Sequence, residues 1–271
     1  MSLPTRRAGQ RAGRPIRRSS AGLSRTRALA ALVLVLSSLA IYGVGVSPVF
    51  ALHKVDLSGA SWTSSGAVEA QLGVPDGTNL VTLQTDDLAS RIETLPAVRS
   101  AEVSVILPNT ILVRLDERVP ILIWQTSGGR YLVDSSGVAF VQLADGAAAP
   151  SGLPTITDAR IGSSIDVGSS IDPVSFDAAA RLGSLKPADL DSAANGLLVS
   201  LTDDQGFTVK AVPNLWTAVF GFYTTSLRPP SMIPGQVRLL RSLISGREPT
   251  IESVILADEE YGTYTTKATK P

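Results

Sequence analysis

The 271-residue chain contains no cysteine and a single histidine. The first absence removes disulfides, zinc-thiolate sites and a thiol nucleophile together, so any folded core rests on packing alone. The second leaves His53 as the sole imidazole, a few residues beyond a long apolar run. A Ser-His-Asp triad built on it would have to assemble at a bilayer surface, and the residue reads instead as a surface or interfacial histidine. No G-x-S-x-G, G-x-x-x-x-G-K-[ST] or H-E-x-x-H motif is present. The adjacent carboxylates Asp203-Asp204 and Glu259-Glu260 stand in turn and tail contexts, where solvated charge is the ordinary state and a glycosidase pair is not. The inventory offers no catalytic, cofactor-binding or metal-binding set, and the chain reads as non-enzymatic. The alternative from another class is a membrane-tethered cell-wall enzyme, which a substrate-sized pocket with a perturbed carboxylate pair would favour.

A third scarcity is one of position. No Asp or Glu precedes Asp56, whereas Arg6, Arg7, Arg11, Arg14, Arg17, Arg18, Arg25 and Arg27 all precede Ala28. The formal net charge of zero therefore conceals an asymmetry: beyond Ser47 the chain has 16 basic and 24 acidic residues. So acidic a remainder argues against a nucleic-acid partner. Between the arginines and the acidic part lies Ala28 to Ser47, free of charge and of proline. As a helix these residues reach roughly 30 Å, the thickness of a bilayer's hydrocarbon core. The positive-inside tendency then predicts a disordered basic tail over 1–27 in the cytoplasm, a span over 28–47, and everything beyond it outside, a single-pass type II arrangement. A cleaved secretory signal is the competing reading, and Val49 and Ala51 have suitable spacing for a peptidase. The apolar run exceeds the usual signal core, and the arginine-rich lead is long for one. Gly43-x-Gly45 sits inside the run and reads as lipid-facing flexibility rather than close helix packing with Ser47.

Beyond the span the periodicities are legible. A strand is expected over Leu52 to Leu57, then a helix over Thr63 to Leu72 capped by Thr63 or Ser64. VPDGTN (74–79) is a turn. A second helix carries Asp86 and Asp87 in its first turn and Leu88, Ile92 and Leu95 at i, i+4 and i+7, and Pro96 stops it. From Val98 the period becomes two, with Ala101, Val103 and Val105 on one face, then Ile111, Val113 and Leu115 after an LPNT turn. The order β-α-α-β-β predicts a three-stranded sheet with both helices on one face, over 52–119. Arg118, Val119 and Pro120 mark the boundary.

A mainly antiparallel β domain with helices is expected over 120–258 and makes the whole chain α+β. Its strands fall near 121–124, 131–133, 138–141, 155–157, 197–202, 206–212 and 216–222. Helices are expected over 173–185 and 235–245, and a last strand, Glu252 to Leu256, precedes a flexible tail over 259–271. The strand count between Asp145 and Ser192 is open.

Several segments resemble the FtsQ/DivIB family of bacterial cell-division proteins. They are VDLSGA after the first strand, GTNLVTL before the second helix, LPAVRSAEVSVILPNTILVRLDERVP through the hairpin, and W-x(6)-YLVDSSGVAF from Trp124. The resemblance implies a single transmembrane helix, a POTRA domain and a β domain. It also implies a scaffold role in the divisome, at the division septum, through FtsB/FtsL-like membrane partners that bind the far edge of the β domain. The stretch 145–192 departs from the family pattern. A POTRA-bearing secretion component is the third reading, opposed by the lack of recurrent ten-residue alternating segments.

Independently of the family, an exposed final strand offers unpaired backbone groups to a partner strand. The candidate partner-binding residues are Ser253, Val254, Ile255 and Leu256 on that strand, the aromatics Tyr261 and Tyr264 beyond it, and Arg238 and Arg241 on the preceding helix.

Overall fold

A computed structural model describes residues 24–213 and 216–267 of the chain. Most of the basic tail expected over 1–27 lies outside the described residues. Helix α1, Arg25–Val46, contains the apolar run except Ser47, which is its C-cap, and none of its residues is buried against the rest of the protein. Ser24 caps it by accepting from the Arg27 N–H.

Next come strand β1 (Lys54–Ser58), helices α2 (Ser65–Leu72) and α3 (Thr85–Ile92), and strands β2 (Val98–Ile106) and β3 (Thr110–Glu117). Of the two expected caps Ser64 is used, accepting from the Ala67 N–H at 3.2 Å, and Gly73 ends the helix in the left-handed region. The sheet order is β1-β3-β2, with β1 parallel and β2 antiparallel to the central β3. Val68 and Leu72 of α2 and Leu88 and Ile92 of α3 are buried with Val103, Ile111, Val113 and Leu115 in one core, as the two periodicities predict. Gly59, in the VDLSGA segment, has φ 81°, and a Cβ there would stand 2.1 Å from the Leu115 carbonyl oxygen, so only glycine fits.

The second sheet has nine strands. They are β4 (Pro120–Thr126), β5 (Gly129–Asp134), β6 (Ala139–Leu143), β7 (Thr155–Asp158), β8 (Gly196–Thr202), β9 (Gly206–Val212), β10 (Thr217–Gly221), β11 (Ile251–Leu256) and β12 (Gly262–Thr266). Their order in the sheet is β12-β11-β10-β9-β8-β7-β4-β5-β6. Helices α4 (Pro173–Gly183) and α5 (Ile233–Ile244) cover one face. Ala178, Ala179 and Leu182 of α4, with Leu240 and Ile244 of α5, share a core with Trp124, Trp216 and Phe220. Three neighbouring pairs are parallel, β4 with β7, β7 with β8, and β10 with β11, so the sheet is mainly rather than wholly antiparallel. The stretch that fits no family pattern contributes one strand, β7.

The end of this sheet revises the sequence reading. Gly262–Thr266, expected within a flexible tail, pairs antiparallel with β11 along its length. Ile251–Leu256 is therefore an inner strand, and β12 is the edge.

The two sheets meet at a defined joint. Along β4, Trp124 faces α4 and α5 while Ile123 faces the opposite way, where it joins Leu132 and Phe140 in a small core with Ala97. Trp62 meets Phe140 edge-on, with ring centroids 6.3 Å apart. Arg118 sits between the sheets. Its backbone N–H donates to the Ala97 carbonyl, its Nε to the Pro96 carbonyl at 3.0 Å, and its Nη1 to Asp134 Oδ2 at 2.6 Å.

Candidate interaction edge

The hairpin that forms the edge is set by Asp258. Its Oδ1 accepts from the N–H groups of Glu260 and Tyr261, which closes the turn between β11 and β12. Those bonds hold the Asp258 carboxyl below the ordinary carboxylate range against a small opposing effect of burial. The Ala257 N–H donates to the Tyr261 carbonyl, so that carbonyl points toward β11, and at the other end the Lys267 N–H donates to the Thr250 carbonyl. Antiparallel alternation then turns the N–H and C=O of Gly262, Tyr264 and Thr266 outward, away from β11.

The candidate side chains divide between the faces of this hairpin. Val254 and Leu256 are core residues, 0% and 1% exposed, and are not available as partner contacts. Ser253 and Ile255 point to the uncovered face, where the Ser253 hydroxyl lies 2.9 Å from that of Thr265 and Ile255 is half exposed. Tyr264, opposite Val254, stands on the helix side with the Arg247 guanidinium 6.0 Å over its ring. Tyr261 is in the turn, 69% exposed. Arg238 is exposed on α5. Arg241 is engaged within the chain, donating from Nε to Asp191 at 2.6 Å. This pair is half exposed and contributes little stability, so a stronger acidic partner can displace it. Thr263, Thr265, Thr266 and Arg247 were missed. The run Thr-Tyr-Thr-Thr has high β propensity and was the available signal.

Beneath the edge, Arg228 closes the ends of the parallel strands β10 and β11. Its Nη2 donates to the Phe220 and Leu256 carbonyls at 2.6 Å each, and Nη1 donates to the Ala257 carbonyl. Tyr223 donates to Gln236 at 2.7 Å, and burial raises its pKa despite the Arg228 charge nearby. Glu248 ties the segment leading into β11 to β10, accepting from Trp216 Nε1 at 2.8 Å, from the Ala193 N–H at 2.9 Å and from the Ser192 hydroxyl. The edge strand thus rests on a hydrogen-bonded frame.

His53 Nδ1 lies 2.8 Å from the Ala51 carbonyl, in a polar cleft of about 190 Å³ with Lys54, Glu69 and Asp76. Asp203 accepts the Ile161 N–H at 2.6 Å. Among the described residues no group of His, Asp and Glu has the arrangement of a metal site.

A second carboxylate frame lies at the joint. Glu117, 8% exposed at the end of β3, accepts backbone N–H bonds from Ser61, Trp62 and Thr63 at 2.6, 2.8 and 2.8 Å. Burial raises its pKa, but hydrogen bonds from Thr63, Trp62 and Ser61 outweigh that and hold it below 4.5. Because the folded value is depressed, this stabilisation is present above the unfolded value and is lost as pH falls through the folded one. Glu117→Gln is expected to melt lower than the parent near neutral pH and to converge with it in acid. Melting curves from about pH 7 to about pH 3 check this, and parallel curves would contradict it.

The fold and edge define a POTRA protein with a C-terminal β domain, carried behind an apolar N-terminal helix. Residues 50–118 match the family model described as POTRA domain, FtsQ-type. Proteins named Cell division protein FtsQ align with the chain. That of Mycobacteroides abscessus is 30% identical over 142 residues, covering 50% of this chain and 44% of the relative. That of Streptomyces venezuelae is 38% identical over 114 residues, covering 41% of each, and that of Streptomyces collinus 31% over 151 residues, covering 52% of this chain and 55% of the relative. The chain spans about half the length of the curated relatives it matches. The likeness to FtsQ proteins is thus carried by the POTRA domain and by aligned stretches of about 40 to 50% of the chain.

Proposed function

We propose that the protein is a non-enzymatic scaffold of the cell-division machinery at the septum, binding FtsB/FtsL-like membrane proteins through the β12 edge. Its parts are a cytoplasmic tail (1–27), a span (28–47), a POTRA domain (52–119) and a β domain that includes β12. The arginines before Ala28 and the acidic remainder beyond Ser47 support an N-in orientation. The observation that carries the proposal is the outward row of peptide groups at Gly262, Tyr264 and Thr266, in a chain whose relatives are named for cell division. Such a row extends a partner segment as a further strand, and Tyr264, Tyr261 and Ile255 flank it with side chains that discriminate between segments. Arg247, over the Tyr264 ring, places positive charge beside the same edge and favours an acidic group on the partner segment, while Arg238 adds an exposed charge on α5. Capture of an FtsB/FtsL-like pair by the Tyr264→Pro variant tests the proposal. Loss is expected, and undiminished capture by a folded variant would remove the site.

A further inference from the structure

The segment that leads out of α1 is fastened to the POTRA domain, and the fastening is uncharged. Asn79 Nδ2 donates to the carbonyls of Val44 and Gly45 at 3.0 and 2.8 Å, taking up two of the acceptors that a helix end leaves open. Its Oδ1 accepts the Val81 N–H at 2.9 Å, and Ala51 forms a β-bridge with Asn79. Two short 3-10 turns, Pro48–Phe50 and Leu80–Thr82, flank this contact. Within the second, Leu80 is 2% exposed in the POTRA core, while its neighbour Val81 is 48% exposed. Val49 in the first is 61% exposed. The runs Ser47 to Leu52 and Asn79 to Gln84 contain no charged side chain, and charge resumes only at Lys54, Asp76 and Asp86 around them.

We propose that Val49 and Val81 form an apolar foot by which the POTRA domain rests in the outer lipid interface, fixing its attitude to the membrane. The proposal rests on the reading of α1 as a span. A span of about 20 residues places its last turn, with Val44 and Gly45, at the boundary of the hydrocarbon core. Tyr42, 68% exposed one turn earlier, occupies the level where amphipathic aromatics collect. Asn79 is bonded at that boundary, and Val81 follows two residues on, within about 7 Å of chain. The headgroup layer on each side of the core is roughly 5–7 Å thick, so Val81 lies inside it. Exposed valines gain there, and the absence of charge on both runs avoids the desolvation cost that a Lys or Asp would incur. A lipid surface is the occupant because the foot is continuous with the span itself.

The absence of cysteine makes the test direct. Single variants Val49→Cys, Val81→Cys, Leu36→Cys in the span and Leu198→Cys on β8 are labelled with an environment-sensitive fluorophore. Each is reconstituted as the full chain in phosphatidylglycerol/phosphatidylethanolamine vesicles containing lipids spin-labelled near the headgroup or deep in the acyl chain. Residues 49 and 81 are expected to give blue-shifted emission that the shallow label quenches, residue 36 to be quenched by the deep label, and residue 198 by neither. If residue 36 is quenched while residue 81 behaves like residue 198, the foot is overturned and the span stands. Emission at residue 81 that is blue-shifted but insensitive to both labels places it against protein and also overturns the proposal. Failure of quenching at residue 36 overturns the span reading itself.

Discussion

Tyr264→Pro is expected to weaken capture of an FtsB/FtsL-like pair by the full-length protein by about 2–3 kcal/mol, on the order of 30- to 150-fold in Kd. The same substitution is expected to leave the melting midpoint nearly unchanged. The asymmetry follows from register. The Tyr264 N–H faces away from β11, so its removal costs the protein's own ladder no bond. Proline is tolerated on such an edge and favours extended backbone in the residue before it, which Thr263 already has. A partner strand loses one N–H donor, meets the proline ring in its place, and loses the tyrosine side chain. Tyr264→Thr separates these contributions, because it keeps the donor and the β propensity and removes only the ring. It is expected to fall between parent and proline variant in binding assays. Deleting Ile251 to Pro271 would be a poorer test, since Ile251, Val254 and Leu256 are core residues and their loss opens the fold. Truncation after Asp258 uncovers β11 as a substitute edge on which a partner could still add. The point substitution has neither defect, and unchanged affinity would exclude strand addition at β12.

Asp134→Ala is expected to destabilise the protein by about 3–5 kcal/mol, the range for breaking one partner out of a buried ion pair. Asp134 is 1% exposed, and its two oxygens serve three donors, the Arg118 guanidinium at 2.6 Å and the N–H groups of Ser136 and Val138 at 2.9 and 3.0 Å. Removing the carboxylate leaves two backbone donors unmatched in the Asp134-Gly137 turn and frees the residue that links Pro96 and Ala97 to the second sheet. A midpoint lower by roughly 10 °C corresponds to that loss for a protein of this size. Asp134→Asn keeps an acceptor for the turn and forfeits only the charge on Arg118, and a smaller fall is expected from it. Differential scanning calorimetry of the three proteins decides the matter. Equal midpoints for the parent and Asp134→Ala would show that the joint contributes no stability.

Where an element buried one face, its residues announced it. Leu88 and Ile92 are buried in α3 at the spacing a helix requires, and Val103, Val113 and Leu115 are buried on β2 and β3 with a period of two. The edge strand was illegible for the opposite reason. Apart from Gly262, every residue of Gly262–Thr266 is exposed, so no apolar alternation distinguishes it from a tail. Only pairing with β11, a property of the neighbour, orders it. The parallel pairing of β7 between β4 and β8 likewise depends on partners distant in sequence, which local pattern does not encode. Arg118 and Asp134 looked like a linker charge and a turn residue, and their sequence contexts are indeed those. Their bond exists because the two sheets bring a linker and a turn within 2.6 Å, a consequence of packing rather than of either local signal. Four of the eight candidate contact residues lay on a strand read as an edge, and the displacement of that edge by one strand turned Val254 and Leu256 into core.

Amide hydrogen exchange, measured with and without an FtsB/FtsL-like partner, bears most directly on the scaffold reading. Bound protein is expected to show new protection at the Gly262, Tyr264 and Thr266 amides, which face solvent in the free chain, while the inward amides of Thr263 and Thr265 change less. A bound complex in which those outward amides exchange as freely as before, with protection appearing elsewhere, would contradict it.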